Sequence, residues 1–111
     1  MISDILSEAE FKLRLCEWLL ENDRICFLQN GETLEDYAER YRLPDFDYVH
    51  TQSFADENGD LITLLRSEIR LSDWETKNGR EPRKFEFYRV LKTMTDSPEV
   101  EPFPMGYIIV L

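Results

Sequence analysis

Apolar residues recur every three or four positions through the first twenty: Ile2, Ile5, Leu6, Ala9, Leu13, Cys16 and Leu20 fall on one stripe, and Phe11, Leu15, Trp18 and Leu19 widen it. That period predicts a helix with one broad buried face. Ser3 is one N-cap for it, and "SEAE" at 7–10 offers another, a capping box whose glutamate reaches back to the helix start. "END" at 21–23 closes the helix. The next run, "RICFL" at 24–28, is too short for its period to separate strand from helix.

"TLED" at 33–36 reads as an N-cap followed by an acidic first turn, which suits the helix dipole. Leu34, Tyr37, Ala38 and Tyr41 then share one face and Glu35, Asp36, Glu39 and Arg40 the other, until Pro44 stops the helix by pushing its predecessor out of the helical region. From Tyr48 the pattern turns to β. "YVHTQSF", "LITLLRSEIRL" and "KFEFYRVLK" are rich in branched and aromatic residues, and Leu61, Thr63, Leu65, Ser67, Ile69 and Leu71 alternate with a more polar set. "SDWETKNGREP" at 72–82, with Asn78-Gly79 and Pro82, reads as a long exposed loop or an extended hairpin end. "SPEVEPFP", with prolines at 98, 102 and 104, reads as a crossing that delivers "GYIIVL" as a final strand. The prediction is an α+β fold: one globular domain over residues 1–111, with two N-terminal helices packed on one face of an antiparallel sheet of three to five strands.

A chain of 111 residues buries about two-thirds of its unfolded surface and needs no disulfide or metal to fold. Cys16 and Cys26 match no zinc or redox spacing and read as buried free thiols, and His50 is the chain's single histidine. No run approaches the ~20 apolar residues of a membrane span, and the acidic N-terminus does not resemble a secretory signal, so a cytoplasmic chain is expected. The net charge of −10 is uneven. Residues 1–50 hold 12 acids against 5 bases, and the remainder 11 against 8. A field of that sign repels phosphate backbones and anionic lipid and attracts basic proteins.

Candidate chemistry is sparse. "DENGD" at 56–60 places oxygens where a calcium loop has its first three ligands, but Leu61 stands where that loop requires glycine and Ser67 where it requires glutamate. Asn58-Gly59 between two strand-like runs reads instead as a hairpin turn. Pro44-Asp45 followed at a distance by Glu75-Thr76-Lys77 has the elements of a magnesium nuclease, yet the pattern is short, its glutamate falls in a loop, and its acidic setting repels DNA. His50 has no clear nucleophile to serve, and the four glycines are too isolated for a phosphate loop. The second helix has the rhythm of a helix-turn-helix opening but is followed by "DFDYV" rather than a basic helix.

What stands out is "ETLEDYAERYRLPDFDY" at 32–48, six acids against two bases interleaved with Tyr37, Tyr41, Phe46 and Tyr48. Carboxylates steer and pair with basic groups while aromatics supply rigid contact area. The plainer alternative turns Tyr37 and Tyr41 into the core and leaves the acids to solvate the outer face. The sequence therefore points to a non-enzymatic module, without cofactor or metal, that binds and blocks a basic protein surface. An immunity protein, an antitoxin or a phage-encoded inhibitor works in this way, including those that mimic nucleic acid. Glu35, Asp36, Glu39, Asp45, Phe46, Asp47 and Tyr48 are its contact residues. Direct nucleic-acid binding and membrane attachment are not expected. The rivals are a small enzyme or ligand-binding domain with a carboxylate site at Glu68, Asp73, Glu75 and Lys77, and an assembly subunit or adaptor.

Overall fold

A computed structural model of the chain describes residues 4–22, 28–43, 45–69, 84–97, 99 and 101–110. The elements are α1 (Glu8–Glu21), α2 (Leu34–Arg40), β1 (Tyr48–Ala55), β2 (Leu61–Ile69), β3 (Phe85–Thr93) and β4 (Phe103–Val110). The four strands form one antiparallel sheet in the order β1-β2-β3-β4, which makes the fold α+β. Because β4 lies beside β3, the proline-rich connection joins neighbours and does not carry the chain to a distant edge. The ambiguous run 24–27, Cys26, Pro44 and the loop at 72–82 lie outside the described residues.

Helix α1 starts at the second of its two candidate caps. The Ser7 hydroxyl accepts the Glu10 N–H at 3.2 Å, with Glu8 and Glu10 in the first turn. Leu6 is withheld from the helix because its backbone is used elsewhere: its N–H donates to Tyr107 O at 2.7 Å and its carbonyl accepts the Tyr107 N–H at 2.9 Å. At the other end Asn22 holds the last turn twice, its side chain donating to Trp18 O at 2.8 Å and its backbone N–H to the same carbonyl at 3.1 Å.

The buried side of α1 is Phe11, Leu15, Cys16 and Trp18; Ala9 and Leu20, placed on the stripe by spacing, are exposed. The phase shifts because α1 serves two partners at once. Phe11, Leu15 and Trp18 enter a cluster with Phe85 and Phe87 of β3 and Tyr107 of β4. Cys16, fully buried, packs on Ala38 of α2, with Leu13, Leu19, Leu34 and Tyr37 around them. Thus α2 packs against α1, and its C-cap residue Tyr41 extends to the sheet cluster.

Within the sheet, Ser67 is buried and Ile69 packs on the helix-side cluster, following the alternation in β2. Toward the β1–β2 hairpin the burial changes face. Leu61 is exposed, whereas Ile62 is buried, and Val90, which register places on the same face as Ile62, is also buried. β4 begins at Phe103, ahead of the expected "GYIIVL", and admits Pro104 because it is an edge strand with a register shift at that point.

Gly106 is what allows the Leu6 bridge to close. Its φ is +136°, and a Cβ there would collide with the Leu6 carbonyl oxygen and lie 2.7 Å from Ile5 Cγ2. Gly31, also at positive φ, has nothing within 4 Å of such a Cβ. Gly106→Ala should therefore cost about 2 kcal/mol or more in urea unfolding and Gly31→Ala about 1 kcal/mol. Equal losses would mean that backbone conformation, not the close approach of Leu6, is what requires glycine at 106.

Candidate protein-binding surface

The "DENGD" stretch is a turn whose two aspartates are engaged internally. Gly59 N–H donates to Asp56 O at 3.1 Å and Asp56 N–H to Asp60 O at 2.8 Å, with Gly59 at φ +81°. The loop is therefore three residues long, with Asn58 and Gly59 at its third and fourth turn positions and not at the centre of a two-residue hairpin. Asp56 Oδ1 accepts the N–H groups of Asn58 and Asp60, both at 2.9 Å. Asp60 Oδ1 accepts the Thr95 N–H and hydroxyl, both at 3.1 Å, and Lys92 Nζ stands 3.4 Å from both Asp56 Oδ2 and Asp60 Oδ2. The Thr95 N–H, with further help from the Thr95 hydroxyl and Lys92, holds the Asp60 carboxyl below its ordinary range despite its burial.

A second charged cluster lies on the sheet. Glu68 and Glu86 face each other across β2 and β3, an unfavourable pairing alone. Arg66 contacts them at 3.3 and 2.8 Å, and Lys84 at 2.6 and 2.8 Å. Glu68 is thus held in an ion-pair cluster; Asp73, Glu75 and Lys77, the rest of the rival carboxylate site, lie outside the described residues, as does the nuclease-like 75–77.

The acid-tyrosine segment is built in two parts. The first is α2, seven residues long, closed by a capping box in which the Thr33 hydroxyl accepts the Asp36 N–H and the Asp36 carboxylate accepts the Thr33 N–H, each at 3.2 Å. A bidentate pair from Arg40 to Glu32, at 2.8 and 3.0 Å, ties the helix to its approach and depresses the Glu32 carboxyl to about 2. Asp36 therefore serves its own helix, Tyr37 packs at the junction with α1, and Glu35 and Glu39 remain exposed on one face. The second part is the run into β1. Ser67 of β2 donates its hydroxyl to Asp47 O at 2.9 Å, and Phe46 packs edge-on against Phe87 at 4.6 Å between ring centres. Asp45 and Asp47 flank that inward ring and are exposed, while Tyr48 is half-buried against the core.

Of the seven contact residues expected from sequence, four therefore present charge: Glu35, Glu39, Asp45 and Asp47. Asp36 caps, and Phe46 and Tyr48 pack. Among the described residues, none of those four forms an ion pair. Sequence reading overlooked an open groove of about 920 Å³ on the other flank of α1, lined by Asp4, Glu10, Arg14, Glu17, Trp18 and Lys84 among others. Its helical part is legible in the i, i+4, i+7 spacing of Glu10, Arg14 and Glu17, but its sheet wall is not. His50 is exposed on β1, and no helix among the described residues is long and apolar enough to cross a membrane. No protein-family model matches the chain, and no curated protein or solved structure matches it.

Two outcomes follow from these placements. Phe46→Ala should cost about 2–3 kcal/mol in denaturant unfolding, whereas the double reversal Glu35→Lys and Glu39→Lys should stay within about 0.5 kcal/mol of the parent. The reverse ranking would show that Phe46 is not part of the core. Because the folded Asp60 pKa lies below its ordinary 3.8, its contribution to stability is complete above that pH and is lost as pH falls through the lower folded value. The stability gap between the parent and Asp60→Asn should accordingly be constant near neutral pH and close below about pH 4 in thermal melts. A gap unchanged down to pH 2 would remove Asp60 as an acid-sensitive group.

Proposed function

We propose that this chain is a small acidic protein-binding module that captures and blocks a basic macromolecular surface, in the manner of an immunity protein, an antitoxin or a phage-encoded inhibitor. The observation that carries the reading is the exposure of Glu35, Glu39, Asp45 and Asp47, without ion-pair partners among the described residues, on backbone held by the α2 capping box and by the Ser67 bond to Asp47. Carboxylates on an ordered support cost little further entropy to hold in place on binding. The net charge of −10 adds a long-range field that draws a cationic surface inward and disfavours nucleic acid and anionic membranes as direct partners. Where the blocked surface is one that grips nucleic acid, the four carboxylates stand in for phosphates. The reading assigns no catalytic group, metal or cofactor, and it places the action in the cytoplasm.

The test begins with affinity purification and identification of the partner, and is decided by surface plasmon resonance at two salt concentrations. Glu35→Lys with Glu39→Lys should slow association about tenfold or more at low salt, and the loss should shrink as salt screens the field. Reversal of the exposed Glu99 and Glu101, in the connection before β4, is the control and should matter much less. Equal effects from the two pairs would reduce the reading to net charge alone, and no effect from either would overturn it.

A further inference from the structure

The two edges of the sheet are treated differently. β4 is bridged at Tyr107 by Leu6, whereas among the described residues nothing pairs with the outer side of β1. We propose that this outer edge is a docking site for an extended segment of a basic protein partner, one with a β-prone, uncharged centre and lysine or arginine near both ends, which adds as a fifth strand. The partner's charge rests on the proposed function; the edge itself does not.

Backbone parity identifies the groups available. Asp56 N–H donates to Asp60 O, so the alternation of an antiparallel ladder gives Phe54, Gln52 and His50 the bonded positions opposite Ile62, Leu64 and Arg66. The N–H and C=O groups of Thr51, Ser53 and Ala55 then point away from β2. An edge strand is ordinarily protected by lysine, proline or a central bulge. Here "YVHTQSFA" has no lysine or proline, its register shift lies at the Tyr48 end, and every residue after Tyr48 is exposed, with Val49 at 60% and Phe54 at 39%.

Charge selects the occupant. Asp45 and Asp47 lie just before the strand and Asp56 and Glu57 just after it; Lys92 contacts Asp56, and Glu57 is exposed. A second copy of this chain would oppose acid to acid at both ends, whether its β1 ran parallel or antiparallel. A segment with basic ends instead gains attraction at both, while its backbone bonds to Thr51, Ser53 and Ala55 supply the strand addition.

The probe is a dodecapeptide selected from an unbiased displayed library on the full-length protein, then synthesised and measured by fluorescence anisotropy and amide hydrogen exchange. Selected peptides should carry basic residues toward both ends and should slow exchange at Thr51, Ser53 and Ala55. Ser53→Pro removes an outward N–H, spares the β1–β2 ladder, and forgoes only an exposed 3.3 Å hydroxyl contact with Thr63; it should weaken binding at least tenfold with the fold intact by circular dichroism. Should that variant misfold, Asp47→Lys with Glu57→Lys leaves the backbone unchanged and should turn the selection toward acidic ends. Failure to select any peptide, protection confined to other amides, or a concentration-dependent dimer lost in Ser53→Pro would overturn the proposal. Binding lost on reversal of Glu35 and Glu39 but kept in Ser53→Pro would overturn the edge and keep the acidic surface; the opposite result supports the edge and removes that surface.

Discussion

The ring of Phe11 is the contact on which the other elements depend. It stacks on Tyr107 at 4.1 Å and 12°, meets Phe87 at 4.8 Å, and reaches Phe85 and Phe46 at 6.1 and 6.3 Å, and it is fully buried. One side chain therefore joins α1, β3, β4 and the run into β1. Aromatic pairs at these separations add ~0.5–1.5 kcal/mol each beyond the area they bury. Leu6 reinforces the same join from the backbone side, since its bridge is made to Tyr107 itself.

Everything that presents the acidic surface is attached to that cluster at one remove. Through Cys16 and Ala38, α2 packs on α1, and Tyr41 extends from its end to the cluster. Asp45 and Asp47 are exposed because Phe46 between them is drawn inward, and the Ser67 hydroxyl pins the carbonyl of Asp47. Charge presentation is a by-product of aromatic burial: in extended backbone, an inward ring turns its two neighbours outward.

Four of the described cations are paired close to home. Arg66 and Lys84 neutralise Glu68 and Glu86 on the sheet, Lys92 neutralises Asp56 and Asp60 at the hairpin, and Arg40 neutralises Glu32. Such pairs let carboxylates sit where the fold needs turn and cap geometry, and each removes a base that could have offset the exposed acids. The exposed acids Glu35, Glu39, Asp45 and Asp47 thereby carry negative charge outward, where its field extends into solvent.

Local signals set the class of structure: the Thr33 cap opens α2, branched and aromatic runs mark the strands, and Gly59 marks the hairpin. These are legible because each depends on residues a few positions apart, whose period and backbone preferences appear in the sequence itself. Glu35 and Glu39 were legible as an outward face for the same reason. Tertiary contacts decided the rest. The helix start moved to Ser7 because Leu6 pairs with a residue a hundred positions away, and the buried phase of α1 shifted because it faces a sheet on one side and a helix on the other. Phe46 became core, Asp36 a cap and β1 an edge strand through strand order and register. Hydrophobic spacing says that a side chain is buried; only the folded chain says against what.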